Sequence, residues 1–275
     1  MTLIRDDRRA SRPSTEPAPE RLVYRRPDLL SDVSTHYCPG CGHGIVHRLL
    51  AEVLGDLGLG PRTIAVAPVG CAVFAYDYLR LDFVEAPHGR APAVATGVRR
   101  VRPDAFVLAY QGDGDLAAIG TAEIVHAAAR GEAITVIFVN NGIYGMTGGQ
   151  MAPTTLLGQR TTSTPGGREA RTAGYPLPIT EMLALLPGVG YAARGSIADP
   201  SSVGKTKAMI RRACEIQVAE RAFAIVEVLS TCPIGWGMTP REAARHLVDD
   251  VPATYPLGVI VDRFRDPAPA ASTPR

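Results

Sequence analysis

The sequence predicts an α/β fold with a doubly wound, mostly parallel sheet in a single domain. Short apolar runs bounded by turn residues alternate with segments of helical periodicity, which is the pattern of βαβ units. Several of these runs are followed by glycine, acidic or cysteine residues, and open α/β sheets place such loops together at the carboxyl ends of their strands. With 275 residues, 46% of them hydrophobic, the chain can form one large core.

The central βαβ unit contains the main motif. An apolar run over residues 105–111 predicts a strand, and the turn Gly112-Asp113-Gly114-Asp115 follows it directly. A helix is predicted to open near Leu116, and the next strand ends at Asn140-Asn141. The two turns therefore fall at the same edge of the predicted sheet.

The residue types in these turns suit a metal-bridged diphosphate. Gly112 and Gly114 allow the backbone to come close to phosphate oxygens. A helix that starts just after them directs free N–H groups at an anion. Asp113 and Asn141 supply the hard oxygen ligands that Mg²⁺ takes beside substrate phosphates.

The remaining elements follow from periodicity and capping signals. Before the central unit, we expect a helix from Gly42, a strand over residues 63–67, a turn at residues 87–90 and a small-residue helix over residues 91–99. After the central unit, the expected elements are a helix over 179–186, a strand over 191–194, a helix from Asp199-Pro200 to about Arg221, a strand over 222–229 and a helix opened by Thr239.

A long polar segment over residues 142–174 lacks periodicity. Its position after Asn141 predicts a functional loop over the site, with disorder in residues 161–172. The composition of residues 1–26 predicts a flexible arm, and that of residues 266–275 a flexible tail, which leaves 27–265 as the folded domain.

Composition excludes several classes of protein. The formal charge of +2 does not favour nucleic acid as a partner, and no apolar run is long enough to span a membrane. The charged amino terminus does not resemble a signal peptide, so a cytoplasmic location is expected. Cysteines in such a compartment favour metal or catalytic roles over disulfides.

Four of the five cysteines fall on predicted loops: Cys38, Cys41, Cys71 and Cys232. Cys71 and Cys232 follow strands and therefore lie at the edge where loops gather. Four thiolates could hold an iron–sulfur cluster or a structural zinc ion, and the residues alone leave both open. Cys214 is expected within a helix as an ordinary buried thiol.

Three stretches together resemble a known family. Cys38-Pro-Gly-Cys-Gly-His-Gly44, the Gly112-Asp-Gly114 turn with Asn140-Asn-Gly-Ile-Tyr-Gly-Met-Thr-Gly-Gly-Gln150, and His88-Gly-Arg90 occur in the order found in the β subunit of 2-oxoacid:ferredoxin oxidoreductases. The resemblance runs from about residue 37 to about residue 244 and implies a thiamine diphosphate-binding fold.

The resemblance also implies the cofactors and their ligands. Thiamine diphosphate would be held through Mg²⁺ on Asp113, Asn141 and the Ile143 carbonyl. The diphosphate pocket would include Gly112, Gly114, Asp115, Gly145 and Cys71. A [4Fe–4S] cluster would be held by Cys38, Cys41, Cys71 and Cys232. Contacts to the thiazolium or the substrate would come from Met146, Thr147, His88 and Arg90.

The family reaction is the CoA-dependent oxidative decarboxylation of a 2-oxoacid, with single electrons passed through the cluster to ferredoxin. The resemblance implies that the Glu that activates thiamine comes from an α subunit. Glu85 and Glu123 are the candidates within this chain, and we interpret them as helix or surface carboxylates. The isolated chain is therefore expected not to turn over, and a dimer of αβ pairs is expected. The substrate stays open among 2-oxoglutarate, branched-chain 2-oxoacids and pyruvate, since Gly148 stands where some members carry a Lys.

Two rivals remain at this stage. A non-redox thiamine decarboxylase or carboligase would use the Gly-Asp-Gly turn but leave four cysteines idle. A non-catalytic, zinc-bound assembly subunit would use the cysteines but leave the Gly-Asp-Gly turn unexplained.

Overall fold

A single sheet organises the chain. The computed structural model describes residues 23–265. Its strands are β1 (Thr63–Ala67), β2 (Asp82–Glu85), β3 (Phe106–Gly112), β4 (Thr135–Asn140), β5 (Ile143–Tyr144), β6 (Gln150–Met151), β7 (Val189–Ser196), β8 (Phe223–Leu229) and β9 (Gly258–Asp262). Seven form one sheet in the order β2-β1-β3-β4-β8-β7-β9, and β5 pairs with β6 as a hairpin. All the neighbours in the large sheet are parallel except β9, which runs antiparallel to β7.

Helices cover both faces of the large sheet. They are α1 (His43–Asp56), α2 (Ala75–Tyr78), α3 (Ala91–Val101), α4 (Thr121–Ala129), α5 (Ala170–Ala173), α6 (Ile179–Ala184), α7 (Pro200–Ala219), α8 (Pro233–Trp236), α9 (Pro240–Asp249) and α10 (Val251–Thr254). Two further short helical segments are the 3₁₀ turn Gly60–Arg62 and the π-helical segment Asp115–Ile119.

The core has two layers because successive side chains of a strand point to opposite faces. Leu108 and Tyr110 of β3 pack with α1 and α7 on one face. Val107 and Ala109 of the same strand pack with α3, α4 and α6 on the other. Both faces of β3 and β4 are therefore buried, as in parallel sheets generally.

The expected strands and helices are confirmed in order and type. Asp199 caps α7 by accepting from the N–H groups of Ser201 (2.9 Å) and Ser202 (3.0 Å). Thr239 and Glu242 form the expected capping box of α9. The helix expected near Leu116 differs in form, because a π-helical segment precedes the regular turns of α4.

The disorder expected for residues 161–172 is wrong. Arg168, only 5% exposed, lies inside this segment and donates hydrogen bonds to the carbonyls of Pro153 (2.8 Å), Thr155 (2.7 Å) and Tyr175 (2.7 Å). These bonds tie the segment to the rest of the loop. One buried guanidinium thus orders a stretch that has no periodic pattern of its own.

The expected terminal arms lie largely outside the described residues, which begin at residue 23 and end at residue 265. Residues 23–26 have no regular secondary structure, and Val23 and Tyr24 are exposed. Among residues 23–265, no helix is both long and apolar enough to cross a lipid bilayer.

Candidate functional site

A pocket opens where β1, β3 and β4 end. Its volume is about 130 Å³, and it lies among the loops that follow these strands. Because the strands are parallel, their carboxyl ends meet at one edge, and the loops after them converge. The sequence-predicted residues among its lining are Cys71, His88, Gly112, Asp113, Gly114, Asp115, Asn141, Ile143, Gly145, Met146 and Thr147.

Asp113 is the buried acid of the pocket, with 3% of its surface exposed. One carboxylate oxygen accepts from the Gly114 N–H (2.8 Å), and the other accepts from Thr154 Oγ1 (2.7 Å). Burial raises the pKa of Asp113 to about 6, against the effect of these hydrogen bonds. Within the described residues no cationic side chain pairs with it, so the pocket carries an uncompensated acid.

A polar network beneath the pocket holds the turn after β4. Asn140 donates to Glu227 (2.7 Å) and accepts from the Gly142 N–H (3.1 Å). Glu227 is in turn paired with Arg194 at 2.8 Å, and both side chains are 1% exposed. The buried ion pair therefore fixes Asn140, and Asn140 fixes the turn that carries Asn141.

Two further contacts tie down Asn141. Its carbonyl accepts from Trp236 Nε1 (2.9 Å), and its side-chain oxygen accepts from the Ile143 N–H (3.2 Å). Gly142 adopts a left-handed φ of 68°, which a residue with a Cβ rarely takes. Thr155 Oγ1 donates to the Gly142 carbonyl (2.6 Å), so the following loop closes over the turn.

Asp115 does not face the pocket as a free acid. It accepts from His88 Nδ1, from the Gly89 N–H (2.8 Å) and from Gln111 Nε2 (2.6 Å). His88 lines the pocket beside it. The structure does not bring Arg90 to the lining; its guanidinium pairs with Glu123 and donates to the Ile119 carbonyl (3.2 Å).

Gly114 lies against the hairpin on the other side of the pocket. A Cβ at Gly114 would come within 2.1 Å of the Tyr144 ring, so only glycine allows this approach. Met146, between the two hairpin strands, lines the pocket and is half exposed. Thr147 lies beside it and donates to Gln150 Oε1 (2.5 Å).

The thiols of the four loop cysteines are free and lie at this edge. Cys38 is exposed, and the other three are partly buried. A Cβ on Gly145 would lie 3.2 Å from Cys232 Sγ and 3.3 Å from Cys71 Sγ, so both sulfurs flank that glycine. Burial, followed by neighbouring thiols, raises the pKa of Cys71 to about 11. Burial similarly raises the pKa values of Cys41 and Cys232 to about 11.

No three His, Cys, Asp or Glu side chains within residues 23–265 converge tightly enough to bind a single metal ion. A tetrahedral zinc site needs sulfurs about 3.8 Å apart, from Zn–S bonds of about 2.3 Å. An iron–sulfur cluster spaces its thiolates more widely, because iron and sulfide lie between them. The sulfurs of Cys71 and Cys232 flank Gly145, and Cys38 and Cys41 are near enough to Cys71 to raise its pKa as charged neighbours.

Sequence reasoning missed His43 and Thr154 as members of the site. His43 lines the pocket, and its Nδ1 lies 2.8 Å from the Tyr110 hydroxyl. Burial lowers its pKa to about 4, so the ring is neutral near pH 7. Its place two residues after Cys41 was the available signal. Thr154 had none, since its contact with Asp113 depends on how the loop folds.

Comparison with known proteins identifies the family. Residues 69–228 match the model described as "Thiamine pyrophosphate enzyme, C-terminal TPP binding domain". The chain is 38% identical over 217 residues to the 2-oxoglutarate synthase subunit KorB of Methanocaldococcus jannaschii, covering 78% of this chain and 75% of that protein. The chain belongs to the thiamine pyrophosphate-binding subunits of 2-oxoacid:ferredoxin oxidoreductases.

Another member of the family is more similar in sequence but longer. The chain is 48% identical over 259 residues to the ketoisovalerate oxidoreductase subunit VorA of Methanothermobacter marburgensis, covering 90% of this chain and 54% of that protein. The chain thus spans about half the length of this VorA relative. A solved 2-oxoglutarate:ferredoxin oxidoreductase from Magnetococcus marinus, with 2-oxoglutarate, coenzyme A and succinyl-CoA bound, matches with a TM-score of 0.66 and 30% identity over 77% of this chain and 69% of that one.

Proposed function

We propose that the chain is the catalytic β subunit of a CoA-dependent 2-oxoacid:ferredoxin oxidoreductase. The observation that carries this proposal is the buried Asp113 carboxylate, which lies beside Asn141 without a cationic partner among the described residues. A buried charge requires a countercharge, and a Mg²⁺ ion that also binds a diphosphate provides one. Bound thiamine diphosphate would supply the electron sink for decarboxylation.

Each lining residue has a proposed task. Asp113, Asn141 and the Ile143 carbonyl hold Mg²⁺, and Trp236 keeps the Asn141 backbone in place. The diphosphate pocket is formed by Gly112, Gly114, Asp115, Gly145 and Cys71. Met146 and Thr147, on the connection between the hairpin strands, contact the substrate end of the pocket. His88, oriented by Asp115, is proposed to contact cofactor or substrate there.

Cys38, Cys41, Cys71 and Cys232 are proposed to hold a [4Fe–4S] cluster that passes electrons to ferredoxin. Support comes from their loops, which gather at the edge of the sheet that carries the pocket. Metal binding deprotonates a coordinating thiol, which offsets the pKa values raised by burial.

The thiamine-activating carboxylate is proposed to come from an α subunit. Glu85 is exposed on β2, and Glu123 is paired with Arg90; neither lines the pocket. The pocket would then lie between subunits, and the assembly would be a dimer of αβ pairs. The isolated chain would bind the cofactors without turning over.

The first experiment measures cofactor binding by the full chain, purified without oxygen. Isothermal titration with thiamine diphosphate should show binding that requires Mg²⁺, and Asp113→Asn should abolish it. Asp82→Asn, which removes an exposed acid on β2, is the matched control and should bind as the unmodified chain does. Binding by Asp113→Asn with undiminished affinity would contradict the proposed magnesium ligand set.

Analysis of iron, sulfide and zinc on the same material separates this proposal from its rivals. Four irons and four sulfides per chain are expected for one [4Fe–4S] cluster. One zinc ion per chain without sulfide would contradict the cluster and support a non-redox thiamine enzyme or an assembly subunit.

A branched-chain 2-oxoacid is the preferred substrate class, with 2-oxoglutarate second. The higher identity to a protein named ketoisovalerate oxidoreductase favours it, as does Gly148, which offers no cation for a distal carboxylate. With the α subunit present, we expect kcat/KM for 2-oxoisovalerate to exceed that for 2-oxoglutarate. A higher kcat/KM for 2-oxoglutarate would instead make the dicarboxylate the preferred substrate.

A further inference from the structure

A second polar pocket lies at the opposite edge of the sheet from the candidate site. It is found where β1, β3 and β8 begin and where α3 and α7 end, and its volume is about 110 Å³. Arg62, Arg99, Arg221 and Gln217 are among its lining residues. None of these residues has a part in the proposed oxidoreductase site.

The three arginines bring an excess of positive charge to this pocket. Burial, and then the neighbouring charges of Arg221 and Arg62, lower the pKa of Arg99. In residues 23–265 none of the three forms an ion pair with a carboxylate. Asp104, the acid in the lining, is paired with Arg102 at 2.9 Å.

Helix dipoles do not cancel this charge. The carboxyl ends of α3 and α7 lie here, and Arg99 donates to the carbonyls of Pro103 (2.7 Å) and Ala105 (2.9 Å) just beyond α3. Each helix end carries about half a negative charge, so both contribute about one against three positive charges. An excess of about two positive charges therefore remains.

Gln217 adds a donor that has no partner. The side chain is 2% exposed, and its Oε1 accepts from Thr135 Oγ1 at 2.7 Å. Its Nε2 has no acceptor among the described residues although it is fully buried. A buried N–H without an acceptor is unfavourable, and native structures leave few of them. Gln217 is among the residues that line the pocket, so a small rotation of its amide would bring Nε2 to a ligand oxygen there.

We propose that this pocket binds a phosphate-sized oxyanion, held by Arg62, Arg99 and Arg221 and by Nε2 of Gln217. Guanidinium groups match the oxygens of phosphate in geometry and charge. Arg221, at the rim, has a left-handed φ of 52° because it directly follows the C-cap of α7, a position where helices commonly end in this conformation. The pocket is separate from the diphosphate pocket, so the two sites can be distinguished by substitution.

The test is thermal unfolding of the full chain in inorganic phosphate, against chloride at equal ionic strength. Phosphate should raise the midpoint of the unmodified chain in a saturable way. Arg62→Ala should weaken the apparent phosphate affinity about tenfold, the effect of one charge-assisted hydrogen bond. Arg245→Ala removes an exposed arginine of α9 and should leave the affinity unchanged.

Gln217→Glu provides the sharper variant. It keeps the acceptor for Thr135 but places a negative oxygen where Nε2 lies. The added carboxylate repels an oxyanion, so the variant should lose the response to phosphate. An equal response to phosphate in Gln217→Glu, Arg62→Ala and the unmodified chain would overturn the proposal and assign the effect to another site.

A phosphate monoester identifies the source of the oxyanion. Tighter binding of glycerol 2-phosphate than of inorganic phosphate would indicate the phosphate group of a larger molecule. Weaker binding would indicate free phosphate.

Discussion

Asp115 holds His88 by its Nδ1 and thereby leaves Nε2 as the free nitrogen of a ring that lines the pocket. The same carboxylate oxygen accepts from the Gly89 N–H (2.8 Å), so side chain and backbone are fixed together. Its second oxygen is occupied by Gln111 Nε2 (2.6 Å). Asp115 thus acts on the pocket through His88.

Asp115→Asn should therefore lower turnover without unfolding the chain. The amide keeps one acceptor for His88, and its NH₂ group can donate to Gln111 Oε1, which lacks a partner in the described structure. Loss of the charge weakens the hydrogen bond to His88, and we expect kcat of the complex with the α subunit to fall about tenfold.

The unfolding midpoint of Asp115→Asn should change little, which separates orientation from folding. Because Asp115 also belongs to the proposed diphosphate pocket, kcat is compared at saturating thiamine diphosphate. Asp82→Asn serves as the control for loss of one charge. Unchanged kcat in Asp115→Asn would mean that the orientation of His88 does not matter for turnover.

The buried pair Arg194–Glu227 should be costly to break from one side. Arg194→Met leaves Glu227 without its cation in the core, and we expect the free energy of unfolding to fall by about 3–5 kcal/mol. Urea titration measures the loss. Adding Glu227→Gln should restore part of it, because the neutral amide no longer needs a countercharge.

An exposed ion pair provides the comparison for Arg194. Arg80 pairs with Asp32 at 3.0 Å, with side chains 55% and 85% exposed. Arg80→Met should cost about 1 kcal/mol or less, as exposed pairs usually do. Equal losses for Arg80→Met and Arg194→Met would contradict the role assigned to the buried network.

His47 should make the chain less stable in mild acid. Burial lowers its pKa to about 3, well below that of a histidine in the unfolded chain. The unfolded state therefore binds a proton below about pH 6.5 that the folded state does not take up until near pH 3. The stability present at neutral pH is lost as pH falls, by about 2 kcal/mol at pH 5 for this residue alone.

Substitution of His47 isolates this contribution. The ring lies among aromatic neighbours, with Tyr110 at a centroid distance of 5.2 Å, so His47→Phe suits the site. The difference in urea-unfolding free energy between pH 7.5 and pH 5 should shrink in His47→Phe. It should persist in His126→Phe, where the histidine is exposed. If the difference in unfolding free energy between the two pH values persists in both variants, groups other than His47 cause the acid sensitivity.

The sequence predicted the parts of the site that follow directly after strands. Gly112, Asn141 and Cys71 could be placed at one edge because parallel strands share the direction of their ends. The loop after Asn141 could not be predicted, since its order depends on long-range contacts of Arg168 and Thr154. The contacts of Arg90 could not be predicted from the sequence either. Its motif gave no sign that Glu123 would bind it, and its proposed contact with the cofactor stays a prediction.

Gly145 should control assembly of the proposed iron–sulfur cluster. A Cβ there would lie 3.2 Å from Cys232 Sγ and 3.3 Å from Cys71 Sγ, closer than ordinary van der Waals contact. Gly145→Ala should displace the two thiols while the fold persists, because the added methyl meets side chains rather than backbone. We expect iron and sulfide per chain to fall at least about twofold, measured beside the unfolding midpoint.

Gly97→Ala is the control, because a Cβ there meets nothing within 4 Å. It should keep full iron, and its free energy of unfolding should rise by about 1 kcal/mol because Gly97 lies inside α3. Full iron content in Gly145→Ala would show that the cluster does not depend on the spacing of these two sulfurs.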